Sequence, residues 1–568
     1  MKLRDIVKDL NLNILDEENI DIKKIFCTLD DYSNSKNIIM DKKQEKTKFN
    51  PKESIYILKN VKVIIKNGEK KYLNKTTQEI FEEAKEILSE KIGVLIIDEE
   101  KVDKKVFEDT FGELINFNNT KVIFVKDISK YEGIIASNFL NTPSLELKVI
   151  GIYGDKNGKY VSEYINEIYK ESNIKTFYIN ERKDEIKNAL ELQKTLDSLR
   201  KTGVKVAIIN VSAQGLKNGI YMGTFFESSI FSDISEDKKY WEQNFDNINE
   251  YLNNVMKLFM ISKYNIINND DYASDYIKKL NKNFYTFGIV NKSTYNATDV
   301  NIRALNTNYL IIVNNKVERI EIRMHGMDLV YSSLAAITYS IVSGLNFFNI
   351  TNALKKTYIP YKKEMIENEL ELQILLDETD DPEEIEEILK EAKKLVTGRV
   401  TVVVSRNGLD IYDDLPVKIE EIKKDGESIE ELREKIKKEI REKTEKIKKE
   451  NQKEIEKERN KRKRLGEVLS KHANIGIITT GSSKFENQNQ IIKEIEEGIN
   501  KNKIKTFKYL DRKEAIISAM YNIQKRDLVA IFGIGDESIN IKGKKEYIDQ
   551  KEIIKNYLNE NENEIKLR

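Results

Sequence analysis

Short apolar runs bounded by charged residues recur along this chain, with helical-period segments between them. Ser54-Ile-Tyr-Ile-Leu58, Val61-Lys-Val-Ile-Ile65, Gly93-Val-Leu-Ile-Ile97 and Lys121-Val-Ile-Phe-Val125 read as strands. Runs that are apolar at successive positions suit parallel sheets covered on both faces. Between Thr77 and Ser89 the apolar residues fall at helical spacing instead. The alternation is more regular from 148 to 355, where strands are expected at 148–153, 175–179, 204–210, 228–232, 263–267 and 284–289. Strands alternating with helices imply right-handed crossovers and a mostly parallel, doubly wound sheet. Ligands of such a sheet sit at the carboxyl ends of its strands.

Residues 356–568 read as a third α/β segment, with strands at Val400-Thr-Val-Val-Val404, Asn474-Ile-Gly-Ile-Ile478 and Leu528-Val-Ala-Ile-Phe532. Two charged stretches are expected to be helical insertions in it, at about 364–394 and 428–464. Asp381-Pro382 is a good helix start in the first, and Ser428 with Glu431 forms a capping box in the second. Ile429, Leu432, Ile436, Ile440, Ile447 and Ile455 draw a thin apolar stripe along the second. It suits either a solvated helix or a helical hairpin leaning on its domain, or a short coiled coil that takes a protein partner. The expected domains are 1–147, 148–355 and 356–568.

Composition narrows the classes. A chain of 568 residues has room for three or four domains. Lys+Arg and Asp+Glu balance at 96 each, so no global field favours nucleic acid or an anionic membrane. Cys27 is the only cysteine, which excludes an internal disulfide framework and a cysteine-based zinc site. His325 and His472 are the only histidines, and neither lies in a catalytic or metal-binding motif. No run approaches the ~18 apolar residues of a membrane span, and no signal-like segment opens the chain. A cytoplasmic protein is expected.

The densest chemical signal is Val149-Ile-Gly-Ile-Tyr-Gly154-Asp-Lys-Asn-Gly158-Lys159-Tyr160. A buried strand, a Gly-rich turn and a helix start present backbone N–H groups and one lysine to nucleotide phosphates. Gly154, Asn157, Gly158 and Lys159 are the candidate nucleotide-binding residues, with an ordinary glycine turn as the plainer reading. Tyr160 follows the lysine, where such a loop needs Ser or Thr to hold Mg²⁺.

Further segments follow in order: Ala136-Ser-Asn-Phe139, Pro143-Ser144-Leu-Glu-Leu147, Asn210-Val-Ser212-Ala-Gln-Gly-Leu216, Glu250-Tyr251 with Lys257-Leu-Phe259, Asn268-Asn-Asp270-Asp271, Val330-Tyr331-Ser-Ser-Leu334, and Gly533-Ile-Gly535-Asp-Glu537. From about residue 50 to the C-terminus, their order and spacing resemble the Mur ligase family, nearest its UDP-N-acetylmuramyl-tripeptide synthetase branch. The resemblance implies an α/β, three-domain architecture. It comprises an N-terminal UDP-precursor-type domain, a central doubly wound P-loop-type domain and a Rossmann-like C-terminal domain with a charged helical insertion. It also implies ATP and Mg²⁺ as cofactors, a UDP-muramyl peptide as substrate, and amide formation through an acyl phosphate. Ser212, Lys484, Gly533, Gly535 and Glu537 fall at substrate-side positions of the family.

Against that pattern the loop is one residue long, with Asp155-Lys156 where the family has a single Thr. The glutamate of the second metal site falls at Asn210, the histidine of that motif at Gln214, and the carbamylated lysine at Val255. Glu185-Ile186-Lys187 displaces a Thr-Thr-Pro loop, and Lys238 stands for another histidine. The residues expected near adenine fall at Leu329 and Ser332. Lys484 replaces the arginine of the amino-acid clamp and loses its bidentate fork. Ile534 and Asp536 replace a lysine and a histidine, and Glu45-Lys46-Thr47 replaces Asp-Ser-Arg at the uridine side. What survives is mostly structural; what is missing is mostly charged or hydroxylic. No catalytic or metal-ligating residue is assigned. The leading expectation is a catalytically degenerate homologue in cell-wall precursor metabolism that binds a precursor, or a partner through the helix at 428–464. The alternatives are an active ATP-dependent ligase, with Lys159 on phosphate and Asp233, Glu236 or Asp237 on metal, and a scaffold without ligand.

Overall fold

A computed structural model of the chain describes residues 1–10, 20–37, 50–66, 69–100, 102–180, 186–235, 241, 244–280, 283–303, 306–324, 326–409, 452–484, 486–521, 523–535, 539–541 and 544–567. The chain divides into two compact units. One comprises Met1–Thr298, Leu310–Glu318 and Val330–Lys355; the other comprises Asp299–Tyr309, Arg319–Leu329 and Lys356–Arg568.

The first unit carries two parallel sheets. The smaller is built from β1 (Lys24–Phe26), β2 (Ser54–Leu58), β3 (Val94–Asp98) and β4 (Lys121–Val125), hydrogen-bonded in that order. β2 and β3 are buried at every position, as their uninterrupted apolar runs require. The helix α1 (Thr77–Ser89) starts at a capping box in which Thr76 and Glu79 satisfy each other's backbone N–H. α2 (Lys104–Asn118) starts on the Asp103 carboxylate. Val61–Lys66 pairs with Glu69–Asn74 as a separate antiparallel hairpin.

The larger sheet contains β5 (Lys148–Gly154), β6 (Thr176–Asn180), β7 (Val206–Asn210), β8 (Phe226–Asp233), β9 (Ser262–Asn268), β10 (Phe284–Gly288) and β11 (Tyr295–Asn296). Its order is β11-β10-β9-β8-β5-β7-β6, all parallel. The order reverses at β5, so the loops after β5 and β8 open on the switch-point crevice of a doubly wound sheet. α3 (Gly158–Glu171) lays Val161, Tyr164, Ile165, Ile168 and Tyr169 inward at helical spacing. α4 (Ala189–Lys201), α5 (Ala213–Lys217) and α6 (Ile248–Ile261) complete the covering helices used below.

In the second unit, β12 (Glu364–Met365), β13 (Gln373–Asp377), β14 (Val400–Val404), β15 (Ile475–Ile478), β16 (Lys505–Lys508) and β17 (Leu528–Phe532) form a sheet ordered β12-β13-β17-β14-β15-β16. All neighbours are parallel except β12 with β13. α7 (Pro382–Ala392), α8 (Gln452–His472), α9 (Gln488–Glu496), α10 (Arg512–Met520) and α11 (Gln550–Glu560) pack around it.

Two sequence expectations change here. Residues 364–394 are not a helical insertion, because Gln373-Ile-Leu-Leu-Asp377 pairs in register with Leu528–Phe532 inside the sheet. Only Asp381-Pro382 onward is helical, and Asp381 caps that helix as expected. Of the stretch 428–464, residues 428–451 lie outside the described residues. The remainder belongs to α8 and is not merely solvated, since Arg462 is 1% exposed; beyond the stretch, Leu465, Val468 and Leu469 sit in the hydrophobic core with Val402, Ile478 and Ile495. Among the described residues no helix is long and apolar enough to cross a membrane.

Candidate functional site

The loop between β5 and α3 lies at the switch point, as its sequence implies. Its glycines are sterically required. A Cβ at Gly154 would stand 2.6 Å from Gly158 N and 2.8 Å from Asp233 Oδ1, and one at Gly158 would stand 3.0 Å from Asn210 Oδ1. The loop's N–H groups converge as an anion nest does, and the anion they hold is internal. Lys156 N donates to Asp233 Oδ2 at 2.8 Å and Asn157 N donates to Asp233 Oδ1 at 3.0 Å. Asp155 N adds a longer bond to the Asp233 carbonyl at 3.3 Å. Those two carboxylate-bound donors are therefore not presented to a phosphate in this conformation.

Asp155, the extra loop residue, is held in turn. Tyr153 Oη donates to Asp155 Oδ1 at 2.8 Å, Ser235 N donates to Oδ2 at 2.7 Å, and Tyr251 Oη also donates to Oδ2. A third carboxylate, Asp271, accepts from Ala273 N at 2.9 Å and Ile234 N at 3.1 Å. Burial pushes Asp233 up to about 6, with the Asp155 charge adding and the two loop N–H groups opposing. Asp271 is also pushed up to about 6, mainly by burial. Among the described residues no group of three or more His, Cys, Asp or Glu is arranged to hold a metal ion. The oxygens of this trio are spent on backbone N–H and tyrosine hydroxyls.

The other sequence candidates divide between the two units. Lys159 opens α3, and its charge lowers the carboxyl of Glu163 one turn on, although burial raises that group overall. Asn210 ends β7 with its buried Oδ1 unpartnered, and Gln214 Oε1 is likewise buried without a partner. Val255 is fully buried in the core of α6. Ser212 is a helix cap: its Oγ accepts from Gly215 N at 2.9 Å, and its own N–H donates to Tyr221 Oη at 3.0 Å. Ile186 is buried, and Lys187 N donates to Glu191 Oε2 at 2.5 Å. In the second unit Lys484 adopts φ +52° and its N–H donates to the Asn540 carbonyl at 2.7 Å. Gly533 adopts φ +98°, and a Cβ there would stand 2.4 Å from Ser405 Oγ. Gly535 abuts Glu378. Glu45, Lys46, Thr47, Glu185, Glu236, Asp237, Lys238, His325, Asp536 and Glu537 lie outside the described residues.

Two features escaped the sequence reading. Arg512 is 3% exposed, yet among the described residues it pairs with no carboxylate. It donates to Ser405 Oγ at 2.9 Å, to the Phe532 carbonyl at 3.0 Å and to Gln550 Oε1 at 2.7 Å. Burial pulls it down to about 9, so it stays charged at neutral pH. It ties the ends of β14 and β17 to α11. The helix-start pair Asp511 and Glu514 marks its position in the sequence, but nothing local marks its burial. Asn60 is 6% exposed with both amide atoms unpartnered, and it lines a cavity of about 50 Å³ with Lys59, Asp98, Ser129 and Lys187.

The Mur ligase middle domain model matches residues 156–340, starting in this loop. The chain is 25% identical over 484 residues to the UDP-N-acetylmuramoyl-L-alanyl-D-glutamate–2,6-diaminopimelate ligase of Caldanaerobacter subterraneus subsp. tengcongensis, covering 83% of this chain and 90% of that one. It is 27% identical over 462 residues to the corresponding ligase 1 of Clostridium acetobutylicum, covering 78% and 84%. Over residues 156–340 the chain matches the Mur ligase middle domain, and over most of its length it is similar to these ligases. A solved structure of a UDP-N-acetylmuramoyl-L-alanyl-D-glutamate–2,6-diaminopimelate ligase superposes with TM-score 0.61 at 17% identity, over 90% of this chain and 93% of that one. The α/β, three-domain architecture of the Mur ligases is thus the fold of this chain as well. Within that fold, the loop that begins the family match carries the Asp233 carboxylate on its N–H groups.

Proposed function

We propose that this Mur ligase homologue acts in peptidoglycan precursor metabolism as a binding or regulatory protein that has lost ATP-dependent ligation. The observation that carries the reading is the Asp233 carboxylate on the N–H groups of Lys156 and Asn157. A triphosphate would have to displace one buried carboxylate and lie beside a second, Asp155, so like charge opposes it twice. Asn210 and Val255 offer a magnesium ion no anionic oxygen. This donor set does not fit a magnesium triphosphate. Retained binding of a UDP-muramyl-type precursor is part of the proposal, and the likeness to ligases named for that class of substrate supports it.

The second reading, an active ligase, rests on the preserved turn at Gly154 and Gly158 with Lys159 behind it. It requires Asp233 to leave the nest. Calorimetric titration with ATP, with and without Mg²⁺, separates the two. The proposal expects no nucleotide heat from the natural protein or from Lys159→Ala, and detectable phosphate binding after Asp233→Ala empties the nest. Magnesium-dependent binding by the natural protein that disappears in Lys159→Ala would establish the ligase reading instead.

A further inference from the structure

The second unit contains a cavity of about 960 Å³, on the side of its sheet where α10 and α11 lie. Its size is that of a site for a large ligand or several side chains. Its lining includes the apolar side chains of Leu510, Ile517, Ile541, Tyr547 and Ile553. Leu510, Ile517 and Tyr547 are 49%, 37% and 55% exposed, which is unusual for large apolar groups gathered in one concavity. Lys484, Gly533 and Gly535 do not line it, but it adjoins them, since Ile541 in its lining bridges to Lys484.

The rim is acidic. Asp511, Glu546, Asp549, Glu552 and Glu560 line the cavity, against Lys513 and Arg512. Arg512 bonds only neutral groups, Ser405, Phe532 and Gln550, so with Lys513 it offsets part of the five carboxylates and leaves the lining net acidic. None of the five carboxylates is ion-paired with another described residue, whereas several nearby cations already have partners. Lys551 pairs with Glu364, Lys508 and Lys501 with Glu496, and Lys566 with Glu562. Two of the five, Asp511 and Asp549, cap the N-termini of α10 and α11, and each uses one oxygen to do so. In a chain whose total charge is balanced, a partly apolar concavity with five carboxylates against two cations is complementary to one kind of surface.

We propose that this cavity is the docking site for a partner's amphipathic segment bearing Lys or Arg beside apolar side chains. The apolar groups enter between α10 and α11, and the cations meet Glu546, Glu552 and Glu560 at the rim. The proposal does not depend on whether the phosphate loop is active.

The test uses the full-length protein and a fluorescent synthetic peptide with lysine and leucine at helical spacing, followed by anisotropy. A matched peptide with glutamate in place of lysine is the control. The lysine peptide is expected to bind, with an affinity that falls as salt is raised. Reversing Glu552→Lys and Glu560→Lys together should weaken it by about tenfold or more, and Ile517→Ser should weaken it without changing its salt dependence. Glu86→Lys, on the exposed face of α1, should leave it unchanged. All these positions are exposed or partly exposed, and an unaltered thermal transition will show that the variants are folded. Equal binding of the glutamate peptide, or no loss in the double reversal, overturns the proposal. Displacement of the peptide by an equal concentration of a simple diamine also overturns it, by assigning the cavity to a small dication.

Discussion

At the scale of single residues, the Asp233 carboxylate has the clearest solution consequence. Its folded-state value is raised to about 6 from 3.8, chiefly by burial. The groups facing it are the Asp155 and Asp271 carboxylates and the N–H groups of Lys156 and Asn157. A carboxyl raised in the folded state favours folding when protonated. Its contribution is therefore fully present below about pH 4 and is lost as pH rises through about 6, by at most roughly 3 kcal/mol. Asp233→Asn removes the titration but keeps one acceptor oxygen for the loop. The expected result is a flatter pH dependence of thermal stability between about pH 4 and 7 than in the natural protein, with the variant relatively more stable at neutral pH. Parallel stability curves for the two proteins would contradict this assignment. The glycines of this loop were legible because a tight strand-to-helix turn leaves no room for a Cβ. The occupant of the nest was not, because its partner lies 76 residues away and only the crossing of β5 and β8 brings them together.

At the scale of elements, burial of apolar runs explains both what the sequence disclosed and what it hid. Strands buried on both faces, such as Ser54–Leu58 and Leu528–Phe532, stand out as uninterrupted apolar runs. β16 does not, since its Lys-Thr-Phe-Lys sequence is an edge strand with mostly exposed side chains. β13 was masked by the acidic residues around it, although four of its five positions are buried. α8 misled for a different reason. Its charge suggested solvent, yet Arg462 is 1% exposed and meets three carboxylates: Glu486 at 2.7 Å, Glu494 at 2.9 Å and Glu458 at 3.6 Å. A charged helix can line a core when its cations are fully paired, and removing one partner then leaves the others uncompensated. Arg462→Met is expected to destabilise the second unit by about 3–5 kcal/mol, read as a lower denaturant midpoint for its unfolding. Arg462→Lys should recover part of that loss, because it restores charge without the bidentate fork. If the methionine variant unfolds at the natural midpoint, the network is ornamental rather than structural.

At the scale of the whole molecule, we propose that fold and chemistry have separated. The architecture of the Mur ligases persists across most of the chain at 17–27% identity to the relatives and solved structure compared. Packing tolerates such drift, because hydrophobic residues of about the right size preserve a core. Catalysis does not, because each electrostatic group acting on a transition state is worth ~10²–10³ in rate. On the proposed reading, the changes at Asn210, Val255 and the Asp233-filled loop would combine without being strictly additive and would leave little of a typical turnover of ~10 s⁻¹. The expected outcome is that purified protein given ATP, Mg²⁺, a UDP-muramyl dipeptide precursor and a diamino acid releases phosphate no faster than the protein-free blank. Single reversions, Asn210→Glu, Val255→Lys or Asp233→Gly, should also stay at the blank, since each repairs one part of a site that acts as a unit. Phosphate release that depends on the precursor and on Lys159, at an ordinary enzymatic rate, would instead mean that Asp233 is a movable gate on a working ligase.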